Sequence, residues 1–275
     1  MIVVLSVLGG AFPSLLDEKR LTGSVFGSED AFEWYTLGNN KAQQGKYEEA
    51  VEFYDKAVTT DPSLVHAWNN MGNALSILRR NDEALACFAA VLELNPNDIH
   101  ALSGSANALS QLNRHAEALE YIDKTLALNP NRDYIWFNKA NILVEVKRHD
   151  DALEAFDRAI EVNPAFVKAM LGKGTVLREL KRYDEALACY DAAITVEGPE
   201  VVAAFYDKAT LLNQLGRREE AVAHYNMVNQ LEPEFAEAWH EKAHILEELG
   251  WKEEAEDCLK EHKLISSQSG GCCAS

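Results

Sequence analysis

Residues 65–98 read VHAWNNMGNALSILRRNDEALACFAAVLELNPND. Apolar side chains recur there at three- and four-residue steps, through Ala67, Trp68, Met71 and Leu75 and then Ala84, Cys87, Phe88 and Val91. That is the spacing of two helices, each with one buried face. Pro96 ends the second and starts a turn, because a proline offers no backbone N–H and clashes with the preceding helical turn.

The same pattern returns with a period of 34 residues on both sides of this stretch. Self-similarity at such a period is the mark of a stacked repeat array. Repeats begin at Ala31, Val65, Ile99, Asp133, Val167, Val202 and Ala236, with one extra residue near Gly198 and Pro199 displacing the sixth. The eighth residue of a repeat is always small: Gly38, Gly72, Ala106, Ala140, Gly174, Ala209 and Ala243. The twentieth is always alanine, from Ala50 and Ala84 through Ala118, Ala152, Ala186 and Ala221 to Ala255. Two small columns twelve residues apart let paired antiparallel helices approach closely. Bulky residues surround the contact, with Trp34, Trp68, Trp136 and Trp239 among the fourth residues and Tyr54, Phe88, Phe156, Tyr190 and Tyr225 among the twenty-fourth. Pro62, Pro96, Pro130, Pro164, the shifted Pro199 and Pro233 close the units, while Gly45, Gly216 and Asn113 mark turns between paired helices.

This pattern resembles the tetratricopeptide repeat. The resemblance covers seven units at 31–64, 65–98, 99–132, 133–166, 167–201, 202–235 and 236–263. A hydrophobic segment and linker at 1–30 precede them, and a flexible Ser/Gly/Cys tail at 264–275 follows. It implies an all-α fold, a right-handed superhelical solenoid of antiparallel helix pairs whose first helices line a concave groove. It also implies a protein-protein interaction scaffold or adaptor, without enzymatic activity or cofactor, that binds an extended peptide or helix in that groove. The seventh unit lacks a terminal proline, and no further solvating helix follows it. An apolar edge left exposed there would favour self-association.

Within the groove, the ninth residues of the first four repeats are Asn39, Asn73, Asn107 and Asn141. Each carboxamide both donates and accepts, so such a row can bind an extended backbone of any sequence. Tyr35, Asn69, Tyr134, Phe137, Asn138 and Lys168 are expected beside them and make the site neutral, aromatic and hydrogen-bonding. One subfamily clamps the C-terminal carboxylate of heat-shock chaperones with lysines and asparagines. Its nearest match is Asn107, Asn138 and Lys168, but Ser103 and Gly172 stand in two of its basic places, so the chain departs from that clamp. Towards the C-terminus Glu237, Glu241, Glu247 and Glu248 turn the face acidic and favour a ligand with a basic end.

Residues 240–244, His-Glu-Lys-Ala-His, match the form of a zinc-protease signature, with His240 and His244 on one helix face and a third ligand to be sought among Glu247, Glu248 and Glu261. The segment lies in register on the seventh repeat, with Ala243 as its small packing residue, and lacks the strand and second domain that build a substrate cleft. The zinc hydrolase reading is therefore carried only as a contrast to the scaffold. A third reading is a structural solenoid in a larger or membrane-attached assembly.

Forty-four acidic residues against 26 basic ones give a net charge of −18, which repels phosphate backbones and argues against nucleic acid. Cys87, Cys189 and Cys258 share the twenty-third place of their repeats, two or three repeats apart. Repeats stack about 8–10 Å apart and a disulfide needs Cα atoms within about 7 Å. These thiols are therefore expected to be free and to fit a reducing, cytoplasmic setting. The apolar run at 2–8 has the length of an export-signal core but no preceding basic residue. It is compatible with export, membrane association, a cap on the first repeat or a start placed within a longer protein. The ending Cys272-Cys273-Ala274-Ser275 loosely resembles a prenylation box with Cys272 as acceptor.

Overall fold

The computed structural model describes residues 28–269. Among them the chain forms fourteen helices and no strand. They fall into two compact units, the first ending at Pro130 and the second beginning at Asn131. The first holds the pairs α1 (Ser28–Gln43) with α2 (Tyr47–Thr60), α3 (Val65–Ile77) with α4 (Asn81–Leu94), and α5 (Ile99–Gln111) with α6 (His115–Leu128). The second holds α7 (Asp133–Glu145) with α8 (His149–Val162), α9 (Val167–Glu179) with α10 (Tyr183–Ile194), α11 (Val201–Gln214) with α12 (Arg218–Leu231), and α13 (Ala236–Glu248) with α14 (Lys252–Ser269).

Each pair corresponds to one of the seven units read from the sequence. Two shifts occur at the ends. Helix α1 starts at Ser28, three residues before Ala31, and its acidic first turn, Glu29 and Asp30, complements the helix dipole. Helix α14 continues to Ser269, so residues 264–269 extend the last helix instead of belonging to a flexible tail; no glycine or proline interrupts the sequence before Gly270. The apolar run at 2–8 and Cys272 lie outside the described residues.

Five second helices end two residues before a proline, and their C-caps Asp61, Asn95, Asn129, Asn163 and Glu232 leave the helical region with φ between −146° and −130°. Steric crowding by the following proline ring imposes that extended backbone. The turns inside the pairs share a second constraint. The fifteenth residue of every repeat has positive φ: Gly45, Gly216 and Gly250, but also Arg79, Asn113, Lys147 and Lys181, at 59–63°. Glycine and asparagine were legible as turn residues, whereas an arginine and two lysines hold the same left-handed state because the flanking helices enforce it. Beyond the turn in each of the first six repeats lies an i,i+3 ion pair at the start of the second helix: Lys46–Glu49, Arg80–Glu83, Arg114–Glu117, Arg148–Asp151, Arg182–Glu185 and Arg217–Glu220. Pairs this exposed add little to stability, because side-chain entropy and solvent screening offset their attraction.

The alanine column is the innermost, from Ala50 at 0% to Ala255 at 1% exposure. Tyr54, Phe88, Ile122, Phe156, Tyr190 and Tyr225 bury their side chains one turn further along the second helices. The small eighth residue makes room for that ring: a Cβ placed on Gly38 would lie 2.5 Å from Tyr54. Trp68 and Trp239 each donate the indole N–H to the carbonyl of a repeat-ending proline, Pro62 and Pro233, at 3.0 and 2.9 Å. Half-buried indoles need such a partner, so one residue pair joins consecutive repeats. Cys87, Cys189 and Cys258 are free thiols, and burial pushes the Cys87 thiol up to about 12.

Within each unit every second helix packs on the first helix of the next repeat, and neighbouring first helices also touch, α1 with α3, α3 with α5, α7 with α9 and α9 with α11. Among the described residues no comparable contact joins consecutive second helices. The first helices thus form the inner layer of each unit, and the candidate site lies on their free face.

Candidate functional site

In unit 1 a cavity of about 350 Å³ opens between α1, α2 and α3. Asn39 and Gln43 from α1, Tyr47 and Tyr54 from α2, and Asn70 and Asn73 from α3 supply its polar wall. Ala42, Ala74 and Ile77 supply the apolar one. No charged side chain lines it. Asn73 is exposed, and Ile77 is 54% exposed, a large apolar side chain at the rim.

The asparagine row is not uniform. The Asn39 carbonyl oxygen accepts from the Tyr54 hydroxyl at 2.8 Å and from the Asn70 amide, also at 2.8 Å. Its acceptor is therefore occupied inside the protein, and its amide nitrogen alone is left for a ligand. Desolvation holds the Tyr54 phenol at about 12. Asn73 stands opposite Phe88, which has no hydroxyl, and its carboxamide makes no hydrogen bond among the described residues. Asn107 is exposed and Asn141 half-buried.

The flanking candidates divide in the same way. Asn69 is buried at 6% exposure and donates to Asp98 at 3.2 Å, the residue whose carboxylate caps α5 by accepting from the Ala101 N–H. It ties α3 to the next repeat instead of facing solvent. Tyr35 packs on Phe32 and Tyr54, with ring centroids 5.9 and 6.2 Å away. In unit 2 Phe137 packs between Phe156 and Phe166, at 6.0 and 5.2 Å. Tyr134 is exposed and Asn138 half-buried, while Lys168 is exposed with its ammonium 3.9 Å from Glu200.

The sixth residue was not singled out as a column, yet it lies over the ring of the preceding repeat. A Cβ on Gly104 would come within 2.4 Å of Phe88, and one on Gly172 within 2.7 Å of Phe156. Beside the tyrosines the sixth residue is polar instead: Asn70 after Tyr54, Asp207 after Tyr190, Glu241 after Tyr225. The ninth residue completes the set. Thr210 shares a 3.1 Å hydrogen bond with the Tyr225 hydroxyl, as Asn39 does with Tyr54. Thr175 stands beside Tyr190 without hydrogen-bonding geometry, and the Tyr190 hydroxyl is buried with no partner. Columns six, nine and twenty-four read together carry this signal in the sequence.

The segment 240–244 is arranged differently from a zinc centre. His240 packs on His262 with ring centroids 5.1 Å apart and the planes tilted by 41°, and His262 in turn contacts the Ala236 carbonyl at 3.0 Å. Glu248 is held by Arg218 at 2.7 Å, with the His244 ring 3.7 Å away. Among the described residues no group of three histidine, cysteine or acidic side chains is placed to hold a metal ion. His115 and His149, the first residues of α6 and α8, are half-buried.

These features define a helical-repeat protein built of stacked hairpins. Family models of the tetratricopeptide repeat match residues 38–76, 65–98, 99–132, 137–200, 182–230 and 236–261, and the chain belongs to that family. No curated protein matches the chain. Among solved structures it is similar to a tetratricopeptide repeat protein from Parabacteroides merdae, at 20% identity and TM-score 0.65 over 86% of this chain and 93% of that one. It is also similar to PilF of Pseudomonas aeruginosa, at 20% identity and TM-score 0.61 over 74% and 93% of the two chains. YrrB, described as a TPR protein with an unusual peptide-binding site, matches at 25% identity and TM-score 0.54 over 66% of this chain and 93% of that one. No described helix is long and apolar enough to cross a membrane.

Proposed function

We propose that the chain is a protein-interaction scaffold that holds an extended peptide segment against its first helices. The observation that carries this reading is the neutral cavity between α1, α2 and α3, where the free carboxamide of Asn73 stands beside the exposed side chain of Ile77. Amide groups pair with a peptide backbone, and the apolar wall takes one side chain, so affinity and selectivity come from different parts of the site. The peptide-binding description of YrrB agrees with this reading. Asn107 and Asn141 extend the row, and Asn39 contributes one donor. A peptide-array screen compares the wild type with Asn73→Ala and Asn107→Ala. Loss of captured peptides in both variants supports the reading, and an unchanged array removes the asparagine row from it.

A second reading draws on the last repeat, where Trp251, just before α14, is 44% exposed and Leu264, within it, is 53% exposed. Exposed apolar residues at the end of a repeat array favour self-association. Sedimentation of wild type and Leu264→Lys tests it, and a monomer at every concentration removes it.

A further inference from the structure

Asp207 and Glu241 occupy the place where Asn70 closes the hydrogen bonding of unit 1. Asn70 can donate and does so, to the Asn39 oxygen. A carboxylate only accepts, so Asp207 and Glu241 cannot repeat that arrangement over Tyr190 and Tyr225. Among the described residues neither makes a hydrogen bond or ion pair, and neither does Glu237, one helical turn from Glu241 on α13. The Tyr190 hydroxyl beneath Asp207 is fully buried and also unpartnered. Unpaired charge and an orphaned polar atom in a half-buried place are costly unless something supplies the missing donor.

Nearby cations are turned elsewhere. Lys208 bonds to Asp191, Lys173 to Asp157 at 2.5 Å and Arg218 to Glu248 at 2.7 Å. Lys242 lies over the Trp239 ring at 5.1 Å. Arg178 lowers the charge cost at Asp207 but forms no ion pair with it, and burial still holds that carboxyl above its ordinary value. Tyr206 stands among these acids, its ring fixed by Tyr225 at 5.7 Å and Phe235 at 5.0 Å. Burial raises its phenol, and the charges of Glu241, Glu237 and Asp207 raise it further.

We infer that the inner face of unit 2 along α9, α11 and α13 holds a basic side chain of a partner protein, its guanidinium or ammonium set between Asp207, Glu237 and Glu241 and against the Tyr206 ring. An organic cation satisfies every feature at once: its N–H groups supply donors to the carboxylates in charge-assisted bonds, and its charge is attracted to the aromatic face. A bare metal ion does not fit, because no three acidic groups among the described residues are placed to hold one, and it would leave the ring without a role. The assignment rests on the scaffold reading and names the chemistry of its partner.

The test uses the full chain and a fluorescent hexa-arginine peptide, with the uncharged hexa-citrulline peptide beside it, in about 0.15 M salt, where exposed charges are screened beyond about 8 Å. Saturable binding of hexa-arginine alone is expected, weakened about tenfold or more, or about 1.4 kcal/mol, by Asp207→Asn with Glu241→Gln, and also weakened by Tyr206→Ala. Glu253→Gln with Glu254→Gln removes the same charge from exposed positions on α14 and is expected to leave binding within about twofold. Equal weakening by that control pair, equal binding of hexa-citrulline, or no hexa-arginine binding overturns the proposal. If array peptides still respond to Asn73→Ala while hexa-arginine does not bind, the basic-ligand site falls and the scaffold reading stands. Loss of all peptide binding sinks both.

Discussion

In unit 1 the ring of Tyr54 sits under a closed set of amides, Asn39 and Asn70, whereas in unit 2 the ring of Tyr190 sits under Asp207 and beside Thr175 with its hydroxyl unpaired. Backbone and packing columns are the same in both places. The first arrangement satisfies itself and belongs to the structure; the second leaves acceptors and a buried hydroxyl for something else to meet. Between these extremes Phe88 lies against two glycines, Gly72 and Gly104, and needs no polar partner. Three solutions to one packing problem show that the repeat fixes where a side chain stands but leaves its chemistry free to vary.

The largest effect should come from forcing one solution onto another. Gly104→Asn places the side chain that suits Tyr54 over the Phe88 ring, and overpacking of this kind costs about 1–3 kcal/mol. Urea unfolding is expected to show that loss, and a midpoint unchanged from wild type would mean the ring has room the structure does not show.

Removing the hydroxyls separates the two tyrosines. Tyr54→Phe deletes a donor to Asn39 and should destabilise by about 1 kcal/mol, the net value of a buried hydrogen bond. Tyr190→Phe deletes an unpartnered hydroxyl and should be neutral or stabilising. Equal losses in thermal melts of the two variants would place a partner on Tyr190 and erase the contrast.

The smallest effect is electrostatic. Burial holds the Asp207 carboxyl above its ordinary value, so the folded protein binds this proton more tightly than the unfolded chain does. The stability this gives is present in acid and is lost as pH rises from the ordinary carboxylate range, near about 4, through the raised folded value. Asp207→Asn should therefore gain on the wild type progressively across that window. A stability difference that stays flat with pH would show that Asp207 titrates normally.

Much of the fold was legible because a helix reports its buried face through local spacing. The alanine and ring columns, the repeat-ending prolines and the small eighth residue each follow from contacts within one hairpin. The left-handed turns were legible at Gly45, Gly216 and Asn113, where the residue itself favours that backbone, and not at Arg79, Lys147 or Lys181, where the packed hairpin imposes it. The site was read less completely. The asparagine row was found as a column, but Asn39 and Asn73 look identical in that column and differ only in what stands fifteen residues later, Tyr54 or Phe88.

Taken alone, the sequence determined the period, the paired helices and the face each helix buries, because those depend on residues three or four apart. Tertiary structure alone decided which carboxamides are consumed within the protein and which carboxylates are left without donors. Those outcomes turn on side chains from different helices and different repeats meeting within hydrogen-bonding distance, as Asn70 meets Asn39 at 2.8 Å, and no periodicity along one chain records that approach.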